Sequence, residues 1–263
     1  MFDQGSGPPL IVIPGVQGRW EWLRPALDAL KGRCRTISYT LSGDIGAETK
    51  YDPGLGFENY LRQLDTIFER AGIERAALCG ISYGGLIAVR YAAIRPERVS
   101  ALIIASSPAP GWVPNEQQQR YIQRPWRSAP AFVATAPMRL YPEIAAAHDT
   151  WSGRLKFAIT HSARVLAAPL IPSVMAGRVT LQQGIDFAPD CARVQAPTLI
   201  ITGEEPLDRI VPVPITRRYE SLITGARHVT MQRTGHLGVL TRPDRFAELV
   251  GDFVSEQVEP SMK

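Results

Sequence analysis

Cysteine is scarce in this chain, with three among 263 residues. Cys34, Cys79 and Cys191 are an odd number without metal-ligand spacing, so neither a disulfide framework nor a zinc or other metal site is expected, and the thiols are read as reduced. Lysine is scarcer than arginine, and long runs of like charge are missing. The 29 basic residues outnumber 25 acidic ones for a formal charge of +4, but they are scattered and form no basic arm of the kind that grips nucleic acid. Nowhere do the roughly eighteen consecutive apolar residues of a membrane span occur. The opening Met1-Phe-Asp-Gln-Gly-Ser-Gly-Pro-Pro lacks the basic and apolar regions of a secretory signal. These absences favour a cytoplasmic protein acting on a small molecule, with no nucleic-acid or membrane partner, and they leave the oligomeric state open.

What is present is globular: 45% hydrophobic and 21% charged residues, with 22 Gly and 22 Pro. Short apolar runs rich in β-branched residues alternate with segments of helical period, the pattern of a mostly parallel, doubly wound α/β sheet with helices on both faces. Strands are predicted at Leu10–Ile13, Cys34–Tyr39, Ala76–Cys79, Val99–Ala105, Thr198–Thr202 and Arg227–Gln232. Helices are predicted at Trp22–Leu30, Phe57–Ala71, Leu86–Ile94, Ile215–Leu222 and Pro243–Val254. From Gly111 to Asp190 there is no convincing strand, only amphipathic stretches between prolines. A structureless loop that long is improbable, so residues 111–190 are expected to form a helical cap inserted between two parts of one core, 1–110 and 191–263.

The strongest chemical signal is Gly80-Ile81-Ser82-Tyr83-Gly84, a G-x-S-x-G sequence between a predicted strand and a predicted helix. A sharp turn there lifts Ser82 Oγ clear of the sheet, and glycine on either side avoids collision with neighbouring backbone. A serine hydroxyl is a poor nucleophile until a base takes its proton. His236, after the last strand, can reach the same end of the sheet, whereas His228 lies within a strand and His148 and His161 lie in the insertion. The base needs an acid to orient it. Asp208, on the loop after Thr198–Thr202, is the first choice, with Glu204 and Glu205 as alternatives.

The chain order Ser82, Asp208, His236, with Leu10-Ile-Val-Ile-Pro-Gly-Val-Gln-Gly18 near the start, resembles the α/β-hydrolase family over nearly the whole chain. That resemblance implies acyl transfer through a Ser-His-Asp triad, with no cofactor and with the Val16 and Tyr83 N–H groups as the oxyanion hole. Two departures stand out. Pro14 occupies the position of the family's usual His, which braces the oxyanion loop, so another group must do so here. The few residues before the first predicted strand leave little room for the family's opening antiparallel hairpin, so a sheet shortened at the N-terminus is expected.

The resemblance further implies that the cap sets specificity. Its aromatic residues, among them Trp112, Trp126, Tyr141 and Trp151, are candidates for an apolar substrate pocket. Its excess of basic over acidic residues would suit an anionic substrate. The expected function is hydrolysis of an ester, thioester or related acyl bond. Alternatives are a cofactor-free C–C hydrolase or acyltransferase with the same triad, or a non-catalytic small-ligand receptor of this fold.

Overall fold

The computed structural model describes residues 1–258. Seven strands form one sheet: β1 Phe2–Gln4, β2 Pro9–Ile13, β3 Arg35–Ser38, β4 Ala76–Ile81, β5 Val99–Ala105, β6 Thr198–Thr202 and β7 Arg227–Thr230. Their spatial order is β1-β3-β2-β4-β5-β6-β7. All neighbours pair in parallel except β1, which runs antiparallel to β3. The helices before the insertion are α1 Arg24–Leu30, α2 Glu58–Ala71 and α3 Tyr83–Ile94; α4 Glu116–Gln123, α5 Pro125–Ala134, α6 Ala136–Ala147, α7 Trp151–Ala167, α8 Pro172–Gln183 and α9 Ala188–Arg193 fill the connection from β5 to β6. After β6 come α10 Val213–Arg217, α11 Tyr219–Leu222, α12 Gly238–Thr241 and α13 Pro243–Val258.

Strand sequence explains why the sheet sits in the middle. A strand buried on both faces reads as an uninterrupted apolar run whose alternate residues serve opposite layers. In β2, Ile11 and Ile13 join the layer formed with α2 and α3, while Leu10 and Val12 join the layer formed with α1 and α13. β5 divides the same way, with Leu102 and Ile104 on one side and Ala101, Ile103 and Ala105 on the other. All six residues of β4 are buried. Each fully buried Leu or Ile contributes about 1.5–3 kcal/mol, so the central strands fix the register of everything attached to their ends.

Two features differ from the sequence expectation. The sheet does gain an antiparallel edge, but as the three-residue β1 paired to β3, not as a hairpin with β2. The helix expected over Ile215–Leu222 is broken at Arg218 into α10 and α11. All three cysteines are buried and free. Among the described residues no single helix is long and apolar enough to cross a membrane, and no group of His, Cys, Asp and Glu is placed to hold a metal ion.

Candidate active site

The parallel strands end on one edge of the sheet, and the candidate residues hang from those ends. Ser82 follows β4 directly and is the N-cap of α3, with φ 52° and ψ −122°. A non-glycine residue in that region stores strain, and here the turn is held by Ser82 N–H donating to Ala105 C=O at 2.8 Å and Gly85 N–H donating to Ser82 C=O at 2.8 Å. The flanking glycines are steric necessities: a Cβ on Gly84 would lie 2.3 Å from Ile13 O, and one on Gly80 would lie 2.4 Å from Gly84 O. The same packing brings the β2 loop against the nucleophile turn, since a Cβ on Gly15 would stand 3.3 Å from Ser82 Cβ. Val16 is the next residue of that loop, and Tyr83 is the first residue of α3.

His236 lies in the loop after β7, and its Nδ1 is 3.2 Å from Asp208 Oδ2. The other carboxylate oxygen, Oδ1, accepts from the N–H groups of Ile210 and Val211, each at 3.0 Å. Asp208 is thus clamped by its own loop, and one oxygen is left for the imidazole. Of the two other acids considered, Glu205 is exposed, and Glu204 accepts from the Arg233 N–H at 2.8 Å. That bond fixes a residue with φ 62° three positions before His236, so Glu204 shapes the base loop without touching the base. Among the described residues no hydrogen bond joins Ser82 Oγ to His236.

His228 bonds Thr202 Oγ1 at 2.9 Å on the neighbouring strand. His148 and His161 pack against Phe157, with ring centroids 5.5 and 5.6 Å away. Of the insertion aromatics, Trp112 is half-buried, and Trp126, Tyr141 and Trp151 are exposed.

The family model described as the alpha/beta hydrolase family matches residues 10–249. The chain belongs to that family. Among curated relatives, this α/β hydrolase is 27% identical over 256 residues to a protein named putative carbamate hydrolase RutD of Klebsiella pneumoniae (strain 342), covering 94% of this chain and 91% of the relative. It is 28% identical over 267 residues to the 2-hydroxymuconate semialdehyde hydrolase of Pseudomonas sp. (strain CF600), covering 97% and 90%. Among solved structures it resembles the enol-lactonase from Burkholderia xenovorans LB400, with a TM-score of 0.77 at 21% identity and coverage of 97% and 95%.

Two buried charges beside the candidate site lie outside the motif. Glu143, on α6, is 1% exposed, and its Oε2 accepts the Leu237 N–H at 2.9 Å, one residue beyond His236. Arg178, on α8, is also 1% exposed and donates to Val16 C=O at 2.9 Å. The available signal was weak: each is a lone ionisable side chain among apolar neighbours, Leu140-Tyr-Pro-Glu143-Ile-Ala in one case and Val174-Met-Ala-Gly-Arg178-Val in the other.

These charges set the electrostatics. Burial pushes the Glu143 carboxyl up; the Leu237 and Gly235 N–H groups and His236 oppose this, Asp208 adds to it, and the outcome is about 7. For His236, burial alone would lower the pKa, but the charge and hydrogen bond of Asp208 and the charge of Glu143 carry it above its ordinary value. An imidazole held beside a carboxylate in this way is suited to accept a proton and to be stabilised once charged.

Proposed function

We propose that this α/β hydrolase is a serine hydrolase that cleaves an ester, thioester or related acyl bond of a small, largely apolar molecule. The observation that carries this reading is an imidazole fixed by a clamped carboxylate at the same sheet edge as a serine on a strained strand-to-helix turn. Ser82 is the nucleophile and His236 the base that takes its proton; Asp208 holds the Nδ1 proton of His236 and stabilises the imidazolium. The Val16 and Tyr83 N–H groups receive the oxyanion. The leaving group departs with the proton from His236, and water, activated by the same imidazole, hydrolyses the acyl-enzyme. The helices from α4 to α9 act as the cap that shapes the pocket.

Ser82→Ala should abolish turnover of p-nitrophenyl esters and labelling by a fluorophosphonate probe while leaving circular dichroism unchanged. Turnover at the wild-type rate in that variant would refute the assignment. A second reading, hydrolysis of a vinylogous C–C bond, is favoured by the similarity to 2-hydroxymuconate semialdehyde hydrolase. It predicts that the same Ser82-dependent activity appears on a 2-hydroxy-6-oxo-dienoate and is weak on every ester from short to long chain.

A further inference from the structure

Pro14 offers neither an N–H nor a polar side chain, so no donor or side-chain bond from that position can brace the loop carrying Val16. Backbone bonds from Gly18 N–H to Gly15 C=O and from Leu41 N–H to Gly18 C=O tie the loop locally, and a side-chain bond to it comes from the insertion. Besides Val16 C=O, the Arg178 guanidinium donates through Nη2 to Ser42 C=O at 3.0 Å and to Asp44 Oδ2 at 2.5 Å, and through Nε to Tyr60 Oη at 3.3 Å. Both ends of the ion pair are shielded from water, with side-chain exposures of 1% for Arg178 and 0% for Asp44. Tyr60 in turn meets the ring of Tyr83 edge-on, with centroids 5.9 Å apart. One side chain of α8 is therefore bonded to the carbonyl of one candidate oxyanion residue and, through Tyr60, packed towards the other.

The surrounding backbone is adapted to this arrangement. Gly18, at φ 74°, closes the loop by donating its N–H to Gly15 C=O at 2.9 Å. A Cβ on Gly18 would fall 1.8 Å from Asp44 Oδ2 and 2.4 Å from Arg178 Nη1. The Gly15 carbonyl shares a peptide plane with the Val16 N–H, so the turn bond sets one side of Val16 and the Arg178 bond sets the other. Only a planar fork of donors can span acceptors in these directions at once; a lysine ammonium cannot.

We propose that Arg178 is a positioning residue that orients the oxyanion loop from within the insertion, replacing the brace that Pro14 cannot supply. The inference rests on the serine-hydrolase reading above, and the experiment separates the two. Arg178→Met combined with Asp44→Leu removes both buried charges together, an exchange that commonly leaves stability unchanged or raised. The variant should fold, with kcat on a p-nitrophenyl ester down by about 10²-fold, the size of losing one oxyanion donor, and KM within about 3-fold of wild type. Affinity for a trifluoromethyl ketone mimic of the tetrahedral intermediate should fall with kcat/KM.

Arg178→Lys keeps a cation beside Asp44 and should show the same pattern, which covers the case in which the double variant does not fold. Wild-type kcat in either folded variant, or a change confined to KM, would overturn the brace. Fluorophosphonate labelling of Ser82 in the wild-type protein marks that outcome as a failure of the brace alone. An unlabelled wild-type enzyme whose activity survives Ser82→Ala would mean that the triad reading has failed and the brace with it.

Discussion

Replacing Glu143 with glutamine isolates the cost of a buried carboxylate docked beside the base loop. The folded protein holds the Glu143 proton up to about pH 7, whereas an exposed glutamate releases it near 4.5. Between those values the folded state binds more protons than the unfolded one, so wild-type stability falls as pH rises from 4.5 to 7 and stays low above it. At about 1.4 kcal/mol per pH unit the loss amounts to about 3 kcal/mol. Glutamine cannot ionise, and its amide oxygen can still accept the Leu237 N–H, so it should escape the loss. In a chain of this size about 3 kcal/mol corresponds to about 6–12 °C in Tm. Thermal melts at pH 5 and pH 8 should show Glu143→Gln gaining that much on wild type at pH 8 and little at pH 5. Parallel pH dependence in the two proteins would refute the reasoning. Because Glu143 also helps to raise the His236 pKa, the rising limb of kcat/KM against pH should move to lower pH in the variant.

Two further substitutions test the geometry. Asp208→Asn keeps an oxygen for the Ile210 and Val211 N–H groups but turns an amide donor towards His236 Nδ1, forcing the proton onto Nε2, where it blocks uptake from Ser82. Steady-state kinetics should show kcat falling by about 10⁴-fold with Tm little changed. Gly84→Ala drives a methyl group into the Ile13 carbonyl 2.3 Å away, and a urea titration should show destabilisation of at least about 1–3 kcal/mol.

Elements governed by local pattern were legible in the sequence. β5 is predicted at Val99–Ala105, where the structure has it, because its one polar residue, Ser100, stands near the start and leaves an unbroken apolar run behind it. The nucleophile turn is legible from its G-x-S-x-G spacing between a strand and a helix; of its glycines Gly80 answers to a clash only four residues away, with Gly84, whereas Gly84 answers to Ile13 of β2. β1 was not, since Phe2-Asp-Gln has one apolar residue and draws its stability from pairing with β3. Nor was the break at Arg218, whose neighbours carry helical periodicity through it. The insertion's buried charges were out of reach for a different reason. In sequence Arg178 is a lone cation among apolar residues with nothing local to pair it, because its counterion Asp44 lies 134 residues earlier. Glu143 owes its burial to a loop 94 residues later.

The chain leaves the sheet after Ala105, and the β5–β6 pairing resumes at Thr198. Because the entropy of closing such a connection grows only logarithmically, at about 0.6 kcal/mol per doubling of length, the sheet tolerates a longer or shorter excursion at that point. What it does not tolerate is an excursion that arrives empty-handed. Asp44 would remain as a buried charge without its counterion, and the Leu237 N–H would lose its acceptor. A different set of helices transplanted between these two strands would therefore have to deliver a guanidinium to one loop and a hydrogen-bond acceptor to the other, whatever its own shape.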